Sequence, residues 1–283
     1  MFVSFAVLLR ILSNSTANLF QKRAGKVSSS VLTNMWVYAI MSIACIIPAL
    51  FVDWRIYSLE FWVYVFIAGL LCTVGTVALI EALAVGELSV LAPINSYKSV
   101  IGLISAIFIL GELPCLKDFI CIILIVIGSY FVLDPEDFPF SLKTFFRRDV
   151  RLRIFALLCS GIEASFLKKI ILLSSYKISL ILWCFSGFIC SLIIFGFKYK
   201  KFPIIQKNNR INCFVIALML FIMQLTTNYV FSKIEVGAAL ALFQLSSLVS
   251  LYYGYKIFNE INMKRKFLGT VIMVMSAVCI LIR

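Results

Sequence analysis

The chain contains no histidine. That removes the commonest metal ligand, the side chain best suited to general base work near neutral pH, and every Ser-His-Asp scheme. Acidic residues are also scarce, 13 against 26 Lys and Arg, and charged residues of both signs make up only 14% of the sequence. There is no CxxC pair and no glycine-rich phosphate loop. The nine cysteines mostly sit inside apolar runs (Cys45, Cys72, Cys121, Cys159, Cys184, Cys190, Cys279) and read as small hydrophobes rather than metal ligands or disulfides. The acids of Asp134-Pro135-Glu136-Asp137 resemble a divalent-cation motif, but they occur once and beside a proline, which suits a solvated connector. No catalytic set, metal site or cofactor is therefore expected.

What is present is apolar surface. The chain is 63% hydrophobic, where a soluble domain runs at roughly 45–50%. A spanning helix needs about 20 mostly apolar residues. Val27–Val52, Phe61–Ile80, Ile178–Phe197, Ile211–Ser232 and Val236–Tyr255 meet that test without a single charge. The pattern predicts an all-α integral membrane protein of the cell membrane with ten transmembrane helices, over about 2–21, 30–52, 60–84, 88–110, 116–133, 152–174, 178–197, 211–232, 236–258 and 266–282. The first apolar run reads as a helix rather than a removed signal. The net charge of +13 lies in short clusters between spans, where lipid headgroups attract it. No stretch outside the spans is long enough to hold a nucleic-acid-binding domain, so the bilayer and not nucleic acid is the expected partner.

The ten spans read as five and then five again. Ser13-Asn14-Ser15-Thr16-Ala17-Asn18 aligns with Ser160-Gly161-Ile162-Glu163-Ala164-Ser165, Lys22 with Lys169, and Trp36 with Trp183, each at an offset of 147. Gly111-Glu112 aligns with Asn259-Glu260 and Phe119 with Phe267 at 148. This divides the chain into a first repeat over 1–133, a connector over 134–150 and a second repeat over 151–283. Because five is odd, the second repeat must enter the membrane from the opposite side, so the two are inverted. Inverted repeats are the construction of secondary transporters.

The ends of the repeats resemble those of the drug/metabolite transporter superfamily, in its ten-helix form with two EamA-type repeats. The first copy runs Ser89-Val90-Leu91-Ala92-Pro93-Ile94, Leu110-Gly111-Glu112, then Gly128; the second runs Gly237-Ala238-Ala239-Leu240-Ala241, Asn259-Glu260, then Gly269. The chain departs from the family in having Cys121 and Ser276 where a second glycine is usual, and Asn259 before the second Glu. The resemblance implies a central cavity lined by the first, third, fourth, sixth, eighth and ninth spans, with the fifth and tenth peripheral. It also implies both termini in the cytoplasm. The loop cations point the other way, since Lys and Arg concentrate in the loops after the first, fifth, seventh and ninth spans.

Charge at the bilayer centre costs about 2.5–3.5 kcal/mol on insertion scales, so it marks function by default. Arg10, Lys98 and Glu163 fall at mid-span. Arg10, Ser13, Asn14, Asn18 and Gln21 share one face of the first helix. Asn95, Lys98, Gly102 and Ser105 share one face of the fourth, just after Pro93; Gln224, Thr227 and Asn228 do so on the eighth, and the ninth adds Gln244. The candidate substrate-binding residues are thus Arg10, Asn14, Asn18, Asn95, Lys98, Glu163, Gln224, Asn228 and Gln244. Lys98 and Glu163 also read as a structural ion pair, and Gly102/Ala106 and Ser250/Gly254 as small-residue helix packing. The function expected is secondary transport of a small polar metabolite (an amino acid, nucleotide-like compound, organic acid or drug). Glu163 offers a route to proton coupling, and the excess of positive charge favours an anionic substrate. A membrane receptor that binds a small molecule without moving it is the alternative. The oligomeric state is not encoded in any surface stripe.

Overall fold

A computed structural model describes residues 2–95, 97–111, 146–199, 207–260 and 263–279, together with Ile120, Leu124, Ile127 and Gly128. Among them every regular element is a helix. In chain order these are α1 (Phe2–Val27), α2 (Ser30–Leu50), α3 (Leu59–Val85), α4 (Leu88–Ile94), α5 (Tyr97–Leu110), α6 (Arg148–Leu173), α7 (Tyr176–Lys198), α8 (Lys207–Phe231), α9 (Val236–Phe243), α10 (Ser246–Phe258) and α11 (Met263–Cys279). Among the described residues, seven stretches are long and apolar enough to cross a membrane, counting Leu88–Leu110 and Val236–Phe258 as one each. The chain is a multi-pass membrane protein. Most of the expected fifth span and of the connector lies outside the described residues.

The spans expected at 88–110 and 236–258 are each broken in two. Between α4 and α5, Asn95 N–H reaches the Ala92 carbonyl at 3.0 Å and Lys98 N–H reaches that of Asn95 at 2.9 Å. Between α9 and α10, Gln244 N–H reaches Ala241 at 3.1 Å and Ser247 N–H reaches Gln244 at 2.9 Å. These i→i−3 bonds tighten the chain where the regular ladder lapses. The sixth span starts earlier than expected, at Arg148, and Arg147 Nη2 pairs with Asp149 in its first turn at 2.8 Å.

Sequence periodicity explains how each helix is turned. Phe2, Phe5, Leu8 and Leu12 of α1 are exposed, whereas Arg10, Asn18 and Gln21 on its other face are buried. That is an apolar face for lipid and a polar face for the protein interior. α1 packs chiefly against α8, α3 against α6, and α2 against α7. Small residues set the closest approaches. A Cβ on Gly187 would sit 2.4 Å from the Tyr38 ring, one on Gly161 2.4 Å from Ile101, and one on Gly102 2.3 Å from Leu240. A Cβ on Gly128 would lie 3.1 Å from the Gly269 carbonyl oxygen, so the two late-repeat glycines face each other. Polar pairs fix the register of α2 on α7: Asn34 Nδ2 donates to Ser191 Oγ at 3.0 Å, and Ser42 Oγ to the Cys184 carbonyl at 3.0 Å.

Four ion pairs gather at one end of the bundle, where α1, α3 and α10 finish. The tightest knot is built on Glu260. The chain reaches it through Asn259 in the left-handed region at φ 52°, a conformation asparagine tolerates well. Glu260 Oε1 accepts from Lys22 Nζ at 2.6 Å and from Leu88 N–H at 2.8 Å; Oε2 accepts from Ser89 N–H at 2.7 Å. Its carboxylate thus caps the first turn of α4, a role a backbone N–H pair at a helix start invites. Gly254 leaves the room, since a Cβ there would lie 2.5 Å from Oε2. Beside it, Lys266 Nζ joins Glu87 at 2.5 Å and Ser89 Oγ at 3.2 Å. Lys22 and Lys266, which read as loop cations in the sequence, are therefore interior groups.

Burial alone would push the Glu260 carboxyl up, but the donors from Lys22 and Ser89 outweigh it and hold it below the ordinary range. A depressed folded value contributes stability that is complete above the unfolded value of about 4.3 and is lost as pH falls through the folded one. The melting temperature of the detergent-solubilised protein should therefore fall on acidification below about pH 4.3. Glu260→Gln should lower the melting temperature at neutral pH and flatten that acid limb; an unchanged limb would show that Glu260 does not set it.

Candidate functional site

Inside the bundle lies a cavity of about 100 Å³. Of the nine candidate residues, Arg10, Asn14, Asn18, Asn95, Lys98, Glu163 and Gln224 line it. Asn228 and Gln244 do not. Asn228 stands behind Gln224, whose Nε2 donates to its Oδ1 at 2.9 Å, and is itself fully buried. Gln244 sits in the α9–α10 break, where its Oε1 accepts from Asn95 Nδ2 at 3.0 Å and its Nε2 donates to the Leu240 carbonyl at 2.9 Å. Both are support for the wall. The helix faces predicted for them are right in being turned away from lipid, and helix packing takes the part that the cavity does not. Ser105, on the Lys98 face, likewise goes to packing and meets Ser165 Oγ at 2.6 Å.

The lining includes groups that the sequence reading passes over. Arg153, read as a loop cation, is buried in the second turn of α6 and lines the cavity. Its Nε donates to the Leu91 carbonyl at 3.0 Å and its Nη2 to Asn95 Oδ1 at 2.9 Å. The signal for it is present in the spacing: Arg153, Ala156, Ser160 and Glu163 recur on one helical face, and all four line the cavity. Tyr38 and Trp183 add one aromatic each from α2 and α7, so the wall is not confined to the six spans expected of it. Their rings lie 5.2 Å apart, tilted by 56°. Trp183 Nε1 donates to Glu163 Oε1 at 2.7 Å, and the Tyr38 hydroxyl meets Cys72 Sγ at 2.6 Å.

The charges are unequal. Arg10, Lys98 and Arg153 face a single carboxylate, Glu163, an excess of two positive charges if all are ionised (three minus one). Glu81 of α3 is absent from the lining and is engaged by Arg148 at 2.5 Å. Glu163 acts on Lys98 more strongly than any other charge, with Arg10 and Arg153 also in electrostatic range. Yet no ion pair joins Lys98 to Glu163, and among the described residues the Lys98 ammonium has no hydrogen-bond partner. Arg10 is half used: Nε donates to Thr227 Oγ1 at 2.9 Å and the guanidinium lies 4.6 Å over the Phe243 ring, but Nη1 has no partner among the described residues. Both amide atoms of Gln21 are buried and likewise unpartnered among them. Buried polar atoms are normally satisfied, so the unpartnered atoms of Arg10 and Gln21 stand out in this wall. No group of three or more Cys, Asp or Glu side chains that would hold a metal occurs among the described residues.

Residues 1–134 match the model of the EamA-like transporter family. This bears out the resemblance to the drug/metabolite transporter superfamily. Twenty-four solved chains match the fold. One of them, titled only as the crystal structure of a protein, aligns over 98% of this chain and 95% of its own with a TM-score of 0.67 and 13% identity. A search of curated proteins finds no match.

Asn95 is the polar hinge pin of this wall, serving Gln244 with one side-chain atom and Arg153 with the other. Asn95→Ala should strand both partners and lower the stability of the purified protein by about 1–3 kcal/mol. Equal melting temperatures for the variant and the wild type would show that the two bonds carry no weight.

Proposed function

We propose that this chain, EamA-like in its first half, is a secondary transporter of the cell membrane that moves a small organic anion by alternating access. The substrate site is the cavity between two inverted five-helix repeats, over 1–133 and 151–283, joined through 134–150. Two features support the inverted arrangement. The pairing of α1 with α8 is mirrored by that of α3 with α6. The two helix breaks, at Asn95 and Gln244, meet each other through a hydrogen bond at the bundle centre. Broken helices at the midplane are the usual way transporters present polar groups to a substrate.

The observation that carries the substrate class is Lys98, an ammonium in the membrane interior without a partner among the described residues and with two arginines as co-cations. A carboxylate or phosphate would supply the missing counter-charge and could also reach the free Nη1 of Arg10. Asn14, Asn18 and Gln224 would then orient the rest of the molecule. Glu163 keeps its place through Trp183 and limits how much negative charge the site admits. It is also the group through which a proton would couple to the flux.

The test is uptake by proteoliposomes offered amino acids, nucleotides, organic acids and cationic drugs, read by mass spectrometry. Flux of an anionic compound is expected, reduced at least tenfold by Lys98→Ala. Glu163→Gln should alter its dependence on the pH gradient. Uptake of cationic and anionic compounds equally unchanged by Lys98→Ala would overturn the substrate class. Binding to the solubilised protein with no flux of any compound would favour the receptor.

A further inference from the structure

The half-helix α4 is held by polar grips at both ends. At its start, the Glu260 carboxylate takes the N–H groups of Leu88 and Ser89 and clamps them to Lys22 of α1. Glu87, just before it, is tied to Lys266 of α11. At its far end, Arg153 of α6 grips the Leu91 carbonyl and the Asn95 side chain. Between these grips the chain is α-helical over Leu88–Ile94 only, and it breaks before α5 resumes at Tyr97. Pro93 in the last turn has no N–H to give to the ladder, which weakens the helix at that point.

α4 also stands between the cavity and the ion-paired end of the bundle. Asn95 and Arg153, at its inner end, line the cavity, and so does Gln21, the neighbour of Lys22. The outer end is the Glu260 knot. From these placements we infer that α4 is a hinged gate of the cavity, turning at the Asn95 break, with Glu260 and Lys22 as its latch and Arg153 as the side chain that reports cavity occupancy to it.

Arg153 has competing partners. It is a cavity cation whose donors are spent on α4. An anion that reaches it draws those donors away from Leu91 and Asn95 and loosens the inner grip. The outer grip is a carboxylate serving an ammonium and two N–H groups at once, so it engages or releases as a unit. An element pinned at both ends by separate polar knots has discrete held and released positions, which is what a gate requires. Arg153 and Glu260 act here as positioning residues. The gate takes its purpose from the transport reading, but its test needs no flux.

Gln21→Cys in the full-length chain places a thiol on the cavity wall next to the latch. Its rate of labelling by a membrane-impermeant maleimide, corrected for the native thiols by the parent chain, reads how often this end opens. The expected rate is low in the otherwise native chain and at least tenfold higher with Glu260→Gln or with Arg153→Gln added. Lysine at 153 should restore part of the protection. Folded, monodisperse variants that label at the original rate would overturn the gate. Should Glu260→Gln fail to fold, Arg153→Gln decides by the same readout. Hydrogen exchange of the wild type tests the hinge without any variant: the amides of α4 should exchange as a group faster than those of α5. Equal protection of the two would overturn the hinge. Accelerated labelling in a protein that moves no compound across a vesicle would uphold the gate and sink only the transport reading.

Discussion

Inside hydrocarbon there is no water to take up a backbone group that a helix releases, and each unsatisfied one costs several kcal/mol. This fold interrupts two membrane helices, so it must find partners for what the interruptions set free. Much of the polar interior follows from that need. Asn95 and Gln244 bond to each other across the two breaks. Arg153 takes the Leu91 carbonyl, and Ser247 Oγ takes that of Gln244 at 2.6 Å. Ser15 Oγ donates to the Ser246 carbonyl at 2.8 Å and Asn14 Nδ2 to Ser246 Oγ at 3.0 Å, which brings α1 onto the start of α10. The start of α4, at the bundle end and away from the breaks, has the same need, and Glu260 receives its N–H groups. Remove the breaks and most of these side chains would have nothing to do in a membrane.

The same scarcity of water bears on the charged groups that line the cavity. Two unit charges 4 Å apart interact by about 4 kcal/mol at an effective dielectric of 20, so a site that wanted neutrality would bring Lys98 and Glu163 into contact. They stay apart, and Glu163 is held instead by Trp183. At the bundle end, by contrast, Lys22 and Glu260 stand at 2.6 Å, and both oxygens of the carboxylate are taken. Close pairing there serves structure, whereas the charges that line the cavity are left without such contact.

The helical class and the membrane were legible in apolar run length alone, and the inward faces of the helices in the spacing of their polar residues. Arg10, Asn14, Asn18, Lys98 and Glu163 reach the cavity because a polar stripe on a membrane helix has nowhere else to go. What the spacing left open was depth. Asn228 and Gln244 share the right faces but lie behind the wall, since a face is set by periodicity and a depth by which neighbour arrives first. Arg153 was hidden by its company: with Arg147, Arg148 and Arg151 around it, it reads as one more loop cation. Only the early start of α6 puts it a turn inside the bundle. The breaks themselves had a local sign at Pro93, but none at Gln244, which has no proline or glycine near it between Gly237 and Gly254.

The burial of Lys22, Arg153 and Lys266 also bears on the disagreement over orientation. The positive-inside rule counts cations that face a membrane surface. Three of those that weighted the loops after the first, fifth and ninth spans answer instead to a carboxylate or a carbonyl within the protein. They belong to the fold's electrostatics and not to its topology signal. Subtracting them narrows the charge bias that opposes the family's orientation, and it does so at the end where these four ion pairs gather. A cluster of cations beside a broken helix serves its free carbonyls and counter-ions first; the bilayer reads only what is left over.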